Sequence, residues 1–239
     1  MSSLTGYEIA LGLGAVAVLA AANLVANHVV RRPYQRIFYS LFVVLVAGTL
    51  VAALELKRLA ATGAFAVGAL DFAPAASALA LSGGFVFLAF SLWSESSEQW
   101  QRLPQLLAAL FAPSLAEALV FVGIVFSLTQ YLLTPALGHI AAVSAAVLVT
   151  SASFGVYHFT HAAPWNSWHT IRILFVVWLF VGLFYALTGN LWATAILNTL
   201  LATIGFVRNR VTRPEEQPLA ASLLFDLAGI VAVVALVLR

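Results

Sequence analysis

Eight apolar runs, each long enough to cross a bilayer, dominate this chain. They lie near residues 7–30, 37–56, 73–93, 105–133, 136–158, 170–188, 190–207 and 217–238. A spanning helix needs about 20 mostly apolar residues. In lipid the backbone must satisfy its own N–H and C=O groups, and a helix does this within one segment. The runs therefore predict an all-α, polytopic membrane bundle of about eight transmembrane helices. The third run is the weakest, because Pro74, Gly83 and Gly84 interrupt it. The fourth is longer than a span needs, so its first turns are expected to lie along the interface.

Composition supports the same fold. The chain is 63% hydrophobic and 8% charged, against roughly 25% charged for an ordinary soluble domain. So few charges cannot cover a water-facing surface, and no polar stretch is long enough to fold on its own. The formal net charge of +2 is too small to imply nucleic-acid binding. There are no cysteines, which excludes disulfides, thiolate metal sites and cysteine nucleophiles. The stretch Met1 to Glu8 has no positive segment and does not read as a cleaved signal peptide.

The basic residues set an orientation. Arg31, Arg32, Arg36, Arg102, Arg172, Arg208, Arg210 and Arg213 lie in or beside odd-numbered loops, whereas Lys57, Arg58 and Arg239 fall on the other side. Cytoplasmic loops carry the excess of Lys and Arg. The expectation is a multi-pass plasma-membrane protein with both termini outside and the odd loops in the cytoplasm. Few lysines and many alanines hint at a GC-rich prokaryotic genome.

Charges inside a bilayer are costly and usually functional. Glu117 sits within the fourth run and Asp226 about midway along the last. Glu55, at a helix end beside Lys57 and Arg58, can reach water. Three histidines gather around the fifth loop: His158, His161 and His169. If the helix continues, His158 and His161 share a face, being three apart. His28 and His139 stand alone near helix ends and read as interfacial residues. A buried carboxylate beside an imidazole can activate a water, the carboxylate as base and the imidazole as orienting partner. The bland alternative is a hydrogen-bonded structural glutamate. A metal site is a further alternative: Glu117, His158 and His161 could supply three ligands with an open position, and His169 a fourth. An ion path through Glu117 and Asp226 is disfavoured, because no repeated halves or paired broken helices support it. A retinal pigment is disfavoured as well, since Lys57, the sole lysine, lies near a helix end. Asp226 reads as structural, and Gly12, Gly14, Gly182 and Gly205 as points of close helix contact.

The stretch Ala112-Pro113-Ser114-Leu115-Ala116-Glu117-Ala118-Leu119-Val120-Phe121-Val122-Gly123 resembles the first motif of the CPBP intramembrane proteases. That family holds the type II CAAX prenyl endopeptidases and the bacteriocin-processing and self-immunity proteins. Its first motif reads Glu-Glu-x-x-Phe-Arg-Gly. Glu117, Phe121 and Gly123 match, while Ala118 replaces the second glutamate and Val122 the arginine. Phe154 and His158 match the second motif, Phe-x-x-x-His. The run from Gly182 to Trp192, with its Thr188-Gly189 turn, resembles the lead-in to the third motif, His-x-x-x-Asn. There Asn198 stands in the histidine's place and Ala202 in the asparagine's.

The resemblance divides the chain into N-terminal helices over residues 1–104, a motif-bearing core over 105–207 and a last helix over 208–239. It implies an intramembrane endopeptidase in which Glu117 and His158 activate water, with Asn198 as the remaining oxyanion donor. The implied substrate is a membrane-associated or lipidated peptide reached from the cytoplasmic side. No cofactor is required by the Glu117–His158 pair, although a divalent metal could be held. Four motif departures leave a second implication, an inactive relative that binds a membrane partner as chaperone, immunity factor or subunit.

Overall fold

The computed structural model describes residues 3–29, 73–93, 100–101, 103–161 and 165–208, and among them every element is helical. There are six: α1 (Ser3–His28), α2 (Pro74–Ser91), α3 (Leu103–Leu137), α4 (His139–Tyr157), α5 (Trp168–Thr188) and α6 (Leu191–Arg208). They correspond to six of the eight apolar runs. The second and eighth runs, with Asp226, lie outside the described residues. Among the described residues four helices are long and apolar enough to cross a membrane: α2, α3, α4 with its closing turn, and α5. The apolar stretches Leu13–Ala26 and Leu191–Val207 are shorter.

Local chemistry accounts for the boundaries. Pro74 opens α2 in the first helical position, where a missing N–H is one the helix would leave unpaired anyway. The helix then runs unbroken through Gly83 and Gly84, so the interruption read in the third run is not a break. Gly84 is there for space: a Cβ on it would lie 2.5 Å from Cδ1 of Leu200, and its absence lets α2 and α6 pack closely. Ser167 caps α5, its hydroxyl accepting the Thr170 N–H at 3.2 Å. Gly189 ends α5 at φ 59°, its N–H reaching the Tyr185 carbonyl at 2.7 Å. The Asn190 side chain then accepts the Ala193 N–H at 2.9 Å and starts α6. The Thr188-Gly189-Asn190 turn is thus one αL stop followed by one side-chain start.

α3 is the central element. Its 35 residues would span about 50 Å at 1.5 Å per residue, more than the ~30 Å of a hydrocarbon core. It changes winding on the way. Leu103–Glu117 is α-helical, Ala118–Phe126 is π-helical and Ser127–Leu137 is α-helical again. The π segment is fully apolar and almost fully buried, and at its far end the Ser127 hydroxyl donates five residues back to the Val122 carbonyl. π-Helical turns are rare and often mark functional sites; here Glu117 is the residue at which the winding changes.

α4 packs on α5, α2 on α6, and α3 on α4 and α6, with α1 against the π segment. An aromatic core joins them: Phe121 of α3, Phe154 and Tyr157 of α4, and Trp178 of α5. Phe154 and Trp178 stack with centroids 3.7 Å apart, and Phe121 meets both edge-on. Outward faces carry exposed apolar side chains, among them Phe85, Val86 and Phe90 on α2 and Ile173, Val176 and Phe180 on α5. In a lipid environment those faces need no polar cover.

Candidate active site

The aromatic core floors a small polar cluster. Glu117 and Asn198 are buried at its centre. The Asn198 Nδ2 donates to Oε2 of Glu117 at 3.1 Å, joining α6 to α3. A buried carboxylate without a donor would be strongly penalised, so this bond fixes where the carboxylate points.

His158 follows α4 directly. Its Nδ1 lies 2.9 Å from the Phe154 carbonyl. A carbonyl can only accept, so Nδ1 carries the proton and Nε2 of the neutral ring carries the lone pair. The ring also packs on the Phe154 ring at 4.4 Å between centroids. Backbone bond and aromatic contact together leave His158 one orientation.

The helix does not continue as α beyond Tyr157. Residues His158–Thr160 form a 3₁₀ turn, and the His161 N–H closes on the His158 carbonyl at 3.1 Å. Three residues per turn eclipse side chains at i and i+3. His158 and His161 accordingly stack, centroids 4.3 Å apart and planes 7° apart. The shared face expected from their spacing is present, and the tighter winding brings it about.

One nitrogen from each of these rings and one carboxylate oxygen of Glu117 lie within 4.8 Å of one another. A water making two hydrogen bonds of about 2.8 Å can bridge such a gap. The donor set Glu, His, His is one a zinc-type ion accepts. The ring planes, however, are parallel. A metal sits in the plane of each imidazole that binds it, and no single ion lies in two parallel planes a stacking distance apart. One ring would have to turn for both to ligate, and Phe154 holds that of His158.

The structure thus gathers Glu117, His158, His161 and Asn198 in one place. His169 is exposed near the start of α5 and does not join the three grouped side chains. His28 and His139 are exposed at helix ends. Ala118 and Val122, where the motif has charged residues, are wholly buried among apolar neighbours. Ala202 is partly buried.

Sequence reasoning missed Asn23. It lies in α1, 4% exposed, and its Nδ2 is 2.7 Å from Nδ1 of His161 and 2.9 Å from Oγ1 of Thr160. The available signal was an amide within the apolar stretch Leu13–Ala26, which membrane helices keep when it bonds a neighbour.

Comparison with known proteins agrees with the motifs. Residues 99–204 match the family model described as Type II CAAX prenyl endopeptidase Rce1-like. The matched stretch contains Glu117, His158, His161 and Asn198, and it bears out the resemblance to the CPBP proteases. No curated protein and no solved structure matches the chain.

Proposed function

We propose that this membrane protein of CAAX-protease type is an intramembrane endopeptidase, in which Glu117 and His158 activate a water to cleave a membrane-associated or lipidated peptide. The observation that carries the reading is the approach of a buried, Asn198-held carboxylate to within one-water reach of the His158 ring, whose Nε2 carries a free lone pair. The Rce1-like match over residues 99–204 supports it.

A water between the two groups directs one proton to Glu117 and the other toward Nε2 of His158. Glu117 takes its proton as the water oxygen bonds to the peptide carbonyl carbon, and the carbonyl π electrons move to oxygen. When the C–N bond breaks, the amine nitrogen takes the proton back from Glu117. General-base and general-acid work of this kind contributes roughly 10²–10⁴ in rate. No metal enters the scheme.

The bilayer is part of the reading. A peptide tail bearing a prenyl or acyl chain is held at the membrane by the same hydrocarbon that solvates the helices. With eight spans, termini outside and the basic loops inward, the chain would lie in a plasma membrane and work from the cytoplasmic side. The test is cleavage of a farnesylated CAAX-peptide reporter by the purified chain in proteoliposomes. The reading expects cleavage that Glu117→Gln abolishes. A folded wild-type chain that leaves prenylated, acylated and unmodified reporters intact would instead favour the partner-binding alternative.

A further inference from the structure

α1 lies well outside residues 99–204, the stretch that matches the endopeptidase family. It nevertheless packs against both the π segment of α3 and the 3₁₀ turn that carries His158. Asn23 makes a polar contact in that packing. It sits in the apolar stretch Leu13–Ala26 and is buried, where an amide without partners would be costly. Its Nδ2 lies 2.9 Å from Oγ1 of Thr160 and 2.7 Å from Nδ1 of His161.

Thr160 and His161 share a second partner. The Thr160 hydroxyl donates to the Tyr157 carbonyl at 2.7 Å, and the His161 ring hydrogen-bonds the same carbonyl. Two lone pairs let one carbonyl take both. Tyr157 is the last residue of α4, and the last carbonyls of a helix have no partner within it. Tyr157, Thr160, Asn23 and His161 thus form a closed circuit over the end of α4, to which another helix contributes Asn23. The circuit holds the His161 ring flat against that of His158, with planes 7° apart. The Phe154 carbonyl and ring set the orientation of His158, and the stacked His161 ring keeps it from tilting out of that orientation. A misplacement of about 1 Å can cost ~10² in rate, so what steadies this ring also steadies the direction of its Nε2.

We propose that α1 completes the active site, with Asn23 as a positioning residue that pins Thr160 and His161 and so holds the His158 ring in line with Glu117. The proposal rests on the water-activation reading of Glu117 and His158. It gives a helix outside the family-matched stretch a part in the reaction. Asn23, Thr160 and His161 exchange no proton with the substrate; they act on His158 by keeping its neighbour in place.

The test compares the full-length chain and its variants in proteoliposomes, with the farnesylated CAAX-peptide reporter as probe and rates taken per folded molecule. Asn23→Ala removes both contacts. Asn23→Leu removes them as well but keeps the side-chain volume and suits an apolar stretch, so it separates lost bonds from lost packing. In each, kcat should fall by about tenfold to a hundredfold, the scale of a small misplacement, with little change in KM. The effect should run through His161: in a His161→Ala background, adding Asn23→Leu should cost far less than it does in the wild type. NMR of histidine-labelled chain reads the stack without any turnover. The His158 ring signals should move in Asn23→Leu as the neighbouring ring shifts, with those of His139 and His169 unchanged as evidence of folding. Glu117-dependent cleavage with wild-type kcat in both Asn23 variants overturns this proposal alone. A loss of the same size with and without the His161 ring does the same, because Asn23 would then act by another route. Absence of any Glu117-dependent cleavage by the wild type overturns the water-activation reading and this proposal with it.

Discussion

The Asn198 amide donates to Oε2 of Glu117 at 3.1 Å, a bond between residues 81 apart in sequence and buried on both sides. This gives Asn198 a task that its motif position does not suggest, orienting the carboxylate. Asn198→Ala would leave a buried carboxylate oxygen without that donor. The expected cost is about 1–3 kcal/mol of stability, read as a lowered melting temperature in detergent. Cleavage should slow by about tenfold or more, part of the 10²–10⁴ a positioned base supplies. The background decides how it acts. If Asn198 works through Glu117, removing it from Glu117→Gln changes the residual rate no further. If it donates directly to the oxyanion, the residual rate drops again.

Glu117→Gln keeps the shape and a carbonyl oxygen for the Asn198 N–H, but it loses the base. Cleavage should fall by at least the roughly 10²–10⁴ of general-base catalysis. Stability should hold or rise, because a buried ionisable group is replaced by a neutral amide. Paired thermal melts and reporter assays check this. A large loss of stability with full activity would assign Glu117 to structure.

Part of this site is legible in the sequence because charge is rare in it. A carboxylate within the fourth apolar run marks Glu117 at once, and the Phe154–His158 spacing marks its partner. Asn198 is visible only through its motif position. His161 is visible through its three-residue separation from His158, but its stacking follows from a 3₁₀ turn, and the residues around it look equally fit for α winding. The π segment is hidden for a related reason. Ala118–Phe126 is apolar at every position, and a uniformly apolar run has no phase from which a winding can be read. Asn23 and His161 are 138 residues apart, and nothing local in either segment points to the other. The misreading of α2 came from counting Pro74 and Gly84 as breakers, when one occupies a first-turn position and the other admits Leu200.

That contact between Gly84 and Leu200 predicts a stability effect remote from the site. A Cβ at position 84 would lie 2.5 Å from Leu200 Cδ1 and 3.2 Å from its Cβ. The side-chain tip can swing away but the Cβ is carried by α6, so α2 and α6 must separate slightly. Gly84→Ala should lower stability by about 1–3 kcal/mol, the usual range for overpacking. Leu200→Ala should also destabilise, by leaving a void. The double variant should be less destabilised than the sum of the two, because each change accommodates the other. Additive losses in thermal melts would mean that the two helices do not meet here.

Gly189 offers the complementary case, a glycine needed for its backbone angle and not for space. It sits at φ 59°, and a Cβ there would meet nothing within 4 Å. Any penalty for Gly189→Ala is therefore conformational, about 1–2 kcal/mol for an L residue held in the left-handed region. Asn tolerates that region better, so Gly189→Asn should recover much of the loss. The turn also sets where α6 begins, through the Asn190 cap, and hence the phase at which α6 presents Asn198 to Glu117. If the αL stop holds that phase, Gly189→Ala lowers kcat as well as the melting temperature, and Gly189→Asn restores both together. Restored melting without restored kcat would show that the start of α6 and Asn198 are not coupled in this way.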